Sequence, residues 1–404
     1  MSGRRLSFLL RICSLVICIM AGASQLHGGE RRTYVLGNFD YKEPTIMVEK
    51  ARELAASQDV ITLAHVKEIT PDVAKALVGD GEGGMLTLPA VEKLDLETAK
   101  ELARFKGNLR LWGLRTMTPE VARAFAETKT GEDLDLSGLS DVSVEVAEIL
   151  ATTDTPALWL GVRAIDVDLA RSLVPLRGHL IFPDLETIPP DAAAELAKHR
   201  GPLNLGTVKL TPEAATELLA HRGWLSLAGV KRLEPGVGDI LARHSNEVTI
   251  SLDEIDSVAL ARKVFRQPSV PKDALKPISP EIARELVDSG TSVILPRLET
   301  LSPEAAKELA KYQRDMIFRG LNTLTPATAR ALTEREANKF AVHLAGVKAL
   351  EGPDAVAVAE ALASTRGAVS LLYLERVSAK ALAVLRTKAT IRLPPDEKLT
   401  IVPE

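Results

Sequence analysis

Cysteine is almost missing from this chain of 404 residues: it has two, Cys13 and Cys18, and both lie in the first 23 positions. A mature chain without that segment holds no disulfide, no thiolate metal site and no cysteine nucleophile. Aromatic residues are scarce at 4%, against 46% hydrophobic residues in all, so Leu, Ala and Val carry the burial. Thin, repeated layers suit small aliphatic side chains; a bulky globular core would use more rings. Positive charge is short as well. The formal net charge of −4 becomes −7 once Arg4, Arg5 and Arg11 are removed. That argues against nucleic acid as a partner, because duplex binding needs a basic face. There is no N-x-[Ser/Thr] sequon. G-x-S-x-G and H-E-x-x-H are absent, and the glycine-rich Asp80-Gly81-Glu82-Gly83-Gly84 lacks the Lys-[Ser/Thr] of a phosphate loop and the ligand spacing of a calcium loop, so no motif points to a catalytic residue, a cofactor or a metal. The reading is a non-enzyme with no cofactor.

The first 23 residues differ from the rest. Arg4, Arg5 and Arg11 give a positive start, Ile12 to Met20 is a short apolar run, and Ala21-Gly22-Ala23 is an A-x-A cleavage pattern. This predicts a secretory signal over residues 1–23 and an exported protein, periplasmic, in the cell envelope or extracellular. The alternative is an uncleaved anchor, but the run is short of the roughly 20 apolar residues that a span needs. No later stretch is long and apolar enough to cross a membrane.

What the chain does have is a repeat. Leu205 to Ala220 (LGTVKLTPEAATELLA) and Leu295 to Ala310 (LPRLETLSPEAAKELA) are clear copies. Anchors at Thr70, Asp95, Thr118, Ser143, Asp166, Pro189, Thr211 and Glu234 are separated by 25, 23, 25, 23, 23, 22 and 23 residues. They resume at Ser279, Ser302 and Thr325, and more loosely at Glu351 and Ser378. Each anchor reads as a helix start: Ser, Thr or Asp caps the first turn, Pro follows where its missing N–H is harmless, and Glu suits the positive end. Four residues on sits a small residue, such as Ala74, Ala147 or Ala306, and three further a large one, such as Leu77 or Leu309. That spacing is one buried helical stripe. Pairs such as Arg177-Gly178, Arg200-Gly201 and Arg222-Gly223 predict a helix end with a left-handed glycine. A short alternating run follows, as in Leu134-Asp135-Leu136 and Leu203-Asn204-Leu205, which is a strand.

One strand and one helix per 22 to 25 residues resembles the leucine-rich-repeat superfamily, from about Met47 to Leu393. The chain also resembles secreted leucine-rich-repeat-like proteins of planctomycete bacteria. The resemblance implies an α/β solenoid of about 14 strand–helix repeats, with a parallel sheet on one face and helices on the other. The chain departs from the usual pattern after the L-x-L strand. Gly, Ala, Pro or Val stands there in place of the Asn or Cys of a buried hydrogen-bond ladder. The expected organisation is a signal over 1–23, an N-terminal cap over 24–46, the solenoid over 47–393 and a C-terminal cap over 394–404. The register slips near 253–278, and Asp80-Gly81-Glu82-Gly83-Gly84 reads as a flexible turn.

The residues between the paired apolar positions should form one outward row on the sheet. From it the candidate binding face is Arg110, Asp135, Trp159, Asn204, Ser226, Ser251 and His343. Of the tryptophans, Trp159 alone is expected on that face. His199, His221 and His244 recur near helix ends and read as cations complementing those ends rather than as a metal row. Asp133, Asp135 and Asp141, and Asp253, Glu254 and Asp256, read as solvated acidic clusters. The function expected is an exported scaffold binding an unknown protein or a cell-surface glycan through the sheet face. A self-associating envelope component is the alternative, and a hydrolase with a carboxylate site is the more distant one. The sequence leaves the oligomeric state open.

Overall fold

The computed structural model describes residues 45–403 apart from 58–59, 80–83, 128–131, 251–254, 268–274, 276 and 336–339. The signal segment, nearly all of the N-terminal cap, Asp80 to Gly83, Ser251, Asp253 and Glu254 therefore lie outside the described residues. The rest divides into two compact units. Unit 1 runs to Lys209 and includes Ala220–Gly229; unit 2 holds Leu210–Leu219 and Val230 onward.

The repeat anchors become helix caps. Thr70, Asp95, Ser143, Asp166, Thr211, Ser279, Ser302, Thr325 and Ser378 each accept a hydrogen bond from the backbone N–H three residues ahead. Loss of such a cap costs about 1 kcal/mol. Two anchors shift. The helix after Glu234 starts at Val237, behind Gly236 at φ 84. The helix after Glu351 starts at Ala355. In both, an inserted Pro–Gly or Gly–Pro turn delays the helix. The small residues of the stripe, among them Ala74, Ala99, Ala147, Ala193, Ala283 and Ala306, are fully buried.

Unit 1 pairs its strands in sequence order, all parallel. They are β1 (Val60–Thr62), β2 (Met85–Thr87), β3 (Asn108–Arg110), β4 (Leu134–Leu136), β5 (Ala157–Leu160), β6 (His179–Ile181), β7 (Leu203–Asn204) and β8 (Leu225–Leu227). A parallel neighbour needs a crossover, and the capped helix of each repeat supplies it. Unit 2 holds β9 (Val248–Ile250), β10 (Val293–Leu295), β11 (Met316–Phe318), β12 (Ala341–His343), β13 (Ala349–Leu350), β14 (Ala368–Ser370), β15 (Arg376–Ser378), β16 (Ile391–Arg392) and β17 (Thr400–Val402). Five of these form a parallel sheet in the order β10-β11-β12-β14-β16, and β13-β15-β17 form a second. The slip near 253–278 has a structural counterpart: helices Val258–Phe265 and Pro280–Asp288 follow one another with no strand between them among the described residues. The C-terminal segment makes a 3₁₀ turn, Asp396–Lys398, and then adds β17 beside β15. The architecture of each unit is a leucine-rich-repeat-like α/β solenoid.

The helix ends differ from expectation. Gly178, Gly201 and Gly223 do not take positive φ. Instead the last helical turn tightens, as where Phe105 N–H donates to the Leu102 carbonyl at 3.0 Å. These glycines serve stacking: a Cβ on any of them would collide with a carbonyl oxygen of the repeat before, that of Thr155, Gly178 or Gly201. Gly138 and Gly161, beyond the strands, meet the Trp112 and Ser137 carbonyls in the same way.

A polar ladder exists at a position the sequence did not advertise. Three residues past the inward helical Leu stand His199, Tyr312 and Arg335. His199 Nε2, in the tautomer that donates, lies 3.1 Å from the Gly178 carbonyl. Tyr312 Oη donates to the Thr291 carbonyl at 2.7 Å. Arg335 Nη2 donates to the carbonyls of Tyr312 and Arg314 at 2.6 and 2.9 Å. Each meets a buried backbone oxygen of the preceding repeat, which would otherwise be left unpaired.

Candidate binding face

Strand register assembles the outward row residue by residue. In unit 1, Thr62, Thr87, Arg110, Asp135, Trp159, Ile181, Asn204 and Ser226 are successive partners across β1 to β8. In unit 2, Ile294, Ile317, His343, Ser370 and Arg392 are successive partners across β10, β11, β12, β14 and β16. Ser251 lies outside the described residues; the centre of β9 is Thr249.

Membership of the row does not mean access. Arg110, Trp159 and His343 are half-buried. Asp135, Asn204 and Ser226 are buried, at 7, 3 and 1% exposure. Two of these three serve the turn that ends their own strand. Asp135 Oδ1 accepts from Ser137 N–H at 3.0 Å, and Asn204 Oδ1 from Gly206 N–H at 3.0 Å. They act as Asx turns, a local bond that a short polar side chain makes without help from a ligand.

All three tryptophans of the chain belong to the face of unit 1, not Trp159 alone. Trp112 is two residues beyond Arg110 and Trp224 two residues before Ser226, which places both on the side of the row. Trp112 is 38% exposed, and its Nε1–H donates to Asp135 Oδ2 at 2.5 Å. The Arg110 guanidinium stands 5.5 Å from the Trp112 ring centre, a cation–π contact. Trp224 lies against His179, with ring centres 5.5 Å apart. The sequence missed this because each tryptophan sits at a different offset from the strand centre; period-two parity is the signal that unites them.

The acidic residues here are not simply solvated. Burial pushes Asp133 up to about 6, with Glu132 and Asp135 adding repulsion against the pull of Arg110. Burial also raises Asp135, opposed by hydrogen bonds from Ser137 and Trp112 and by Arg110. Asp141 is exposed.

The histidines are corrected in kind. His199, His221 and His244 are buried, at 1, 0 and 3% exposure, rather than set out at the helix ends. Three residues past the inward Leu, the chain has already turned under the helix. His199 and His221 stack in parallel with centres 6.4 Å apart, and burial lowers the pKa of His199. On the sheet side, burial and then His199 depress His179 to about 3. No group of three His, Cys, Asp or Glu side chains suited to a metal ion occurs among the described residues.

In unit 2 the row is apolar at its start. Ile294 is 41% exposed and Ile317 half-buried beside it. Beyond the strands, Leu372 and Tyr373 are exposed, with Lys348 5.2 Å from the Tyr373 ring centre.

No protein-family model matches this chain, and no curated protein matches it. Solved structures that resemble it include an internalin from Listeria monocytogenes, at 13% identity and a TM-score of 0.41, covering 85% of this chain and 93% of that one. Another is a leucine-rich-repeat protein from Leptospira interrogans, at 14% identity and a TM-score of 0.39, covering 90% of this chain and 99% of that one. Similarity at this level says nothing of binding or activity, and the repeat fold stands on the chain's own register and helix order. No described helix is long and apolar enough to cross a membrane.

Proposed function

We propose that this protein is a non-catalytic repeat scaffold that binds a protein partner through the sheet face of unit 1. One observation carries the reading: Arg110, Trp112, Asp135 and Trp159 form a connected aromatic and charged cluster across three adjacent strands. Trp and Arg are the residues that most often dominate binding energy at protein interfaces. Here they are held by register and by a hydrogen bond, so little ordering is left for binding to supply. A cell-surface glycan is the other ligand class such rings would suit. The charged start and A-x-A site of residues 1–23 support export. The test is affinity capture from an extract of the producing cells, with Trp112→Ala/Trp159→Ala as the control bait. A protein held by the wild type and lost by the folded variant supports the reading; a capture set that the variant leaves unchanged refutes it.

Self-association is a second reading, favoured by the exposed Ile294, Leu372 and Tyr373 of unit 2. It predicts concentration-dependent assembly in sedimentation equilibrium, and a strict monomer at high concentration would exclude it.

A further inference from the structure

We propose that the buried histidines of unit 1 form an acid-operated joint. Proton uptake by the row His179, His199 and His221 opens the turns that lead into β6, β7 and β8 and moves Trp224, while the earlier repeats of the unit stay folded. The inference goes beyond the docking reading and does not rest on it.

The row is built at one place in successive repeats. His199 and His221 each stand three residues past a helix end, Leu196 and Leu218, and their rings stack in parallel with centres 6.4 Å apart. Each ring lies against a glycine turn. A Cβ on Gly201 would stand 2.8 Å from His199 Nε2, and one on Gly223 2.8 Å from His221 Nε2. His199 Nε2 also reaches back 3.1 Å to the carbonyl of Gly178, the residue before His179. The His179 ring in turn lies 5.5 Å from that of Trp224, the residue after Gly223. Three buried imidazoles and an indole thus join three consecutive helix-to-strand turns.

A proton has no good place in this row. In the tautomer that bonds Gly178, His199 carries its N–H on Nε2, so an added proton goes to Nδ1. That atom is buried with no hydrogen-bond partner among the described residues, and so is His179 Nε2. A buried N–H without an acceptor is costly, and a charged one more so. No carboxylate among the described residues offsets the charge. His199 is the charged group that acts on His179, and backbone carbonyls act on His199. Glu195, on the helix that leads to His199, is taken by Arg171 and Lys198. Glu213 and Glu217, on the helix that leads to His221, are exposed, and so are the cations Arg177, Arg200 and Arg222 that adjoin the row. Burial, joined by His199, depresses His179 to about 3, and burial lowers His199. Opening the turns returns both rings to water and to their ordinary value, so opening takes up protons. The joint is therefore fully closed above pH 6.5 and loses that hold as pH falls toward 3.

The chain has three tryptophans, so fluorotryptophan labelling of the full chain gives each its own fluorine NMR signal, assigned by a Trp224→Phe variant. As pH is lowered from 7.5 to 3, the Trp224 signal should change before that of Trp112 and before the helical circular dichroism falls. Uptake of two protons makes the opening equilibrium rise at least about a hundredfold per pH unit. His199→Gln keeps a donor for the Gly178 carbonyl and cannot charge, and His179→Leu removes the second site. Each should lower that steepness about tenfold per pH unit. Circular dichroism at pH 7.5 checks that each variant is folded, and His221→Gln replaces either one that is not. Trp224 moving only together with Trp112 and the helix signal would overturn the proposal, since acid would then act on the whole chain. Unchanged steepness in either folded variant would overturn it too, because a coupled row needs both rings.

Discussion

The two units share a repeat and differ in what they place on the outward side of their strands. Unit 1 has eight strands in unbroken order, and its face carries Arg110, Trp112, Asp133, Trp159 and Trp224. Unit 2 sets two helices in succession, splits its strands from β10 onward between two sheets, and begins the face of the first of these with Ile294 and Ile317. The inward positions are the same in both: a capping Ser or Thr, a fully buried alanine, a buried leucine. Those positions decide whether repeats stack. The outward ones are free of that duty, so the chemistry they hold is the better guide to use.

The contrast can be broken first at glycine. Gly161→Ala in unit 1 would drive a methyl into the Ser137 carbonyl. Such overpacking against backbone should cost about 3 kcal/mol. Gly290→Ala in unit 2, at φ 68 with open space around it, should cost about 1 kcal/mol for its backbone strain alone. Urea midpoints of the two variants compare them directly, and equal losses would mean that the close stacking of unit 1 is not what holds it.

Titration sharpens the comparison next. His179 has its folded pKa depressed to about 3, below the ordinary value of 6.5. Its contribution is whole above pH 6.5 and is lost as pH falls toward 3, at up to about 1.4 kcal/mol per pH unit. Asp133 runs the other way. Raised to about 6 from 3.8, it stabilises fully below 3.8 and loses that contribution as pH rises through 6. His179→Leu should therefore make the chain relatively more stable at pH 5 than at pH 7, and Asp133→Asn relatively less. Denaturation curves at both pH values test the signs.

The smallest effect belongs to the helix surface. Arg262 grips Glu285 through three contacts of 2.6 to 3.2 Å in unit 2, with the carboxylate largely shielded. Arg123 and Glu145 in unit 1 make a bond of 2.9 Å with both partners about half exposed. Exposed pairs contribute little. Arg123→Ala should leave the thermal midpoint unchanged and Glu285→Gln should lower it slightly; the reverse order would show that shielding is not the deciding factor.

Much of this was legible in the chain. The anchors at Thr70, Asp95 and Ser302 predicted caps because a short hydroxyl or carboxylate before an apolar stripe has few other uses. The L-x-L runs predicted the strands, and the row from Thr62 to Ser226 follows from them. Other features were not legible, for physical reasons. A glycine that avoids a carbonyl of the preceding repeat looks the same in sequence as one that takes positive φ, so the basic-Gly pair at Gly201 reads as a left-handed cap when its task is stacking. A histidine after a basic helix end looks like a cation, and only the turn of the chain beneath the helix shows that His199 is buried and neutral. Asp135 and Asn204 look like free outward groups, yet their own backbone takes them up. The tryptophans were missed as a set because they share a side of the sheet without sharing a position.

The most direct test of the central claim is hydroxyl-radical footprinting of the full chain alone and bound to its captured partner. The face of unit 1 holds every tryptophan, the side chains most easily oxidised after the sulfur-containing ones. Binding there predicts that oxidation of Trp112 and Trp159 falls on complex formation while Tyr373 of unit 2 is unchanged. Protection of Tyr373 and Leu372 with undiminished oxidation of Trp112 would contradict the account and move the binding surface to unit 2.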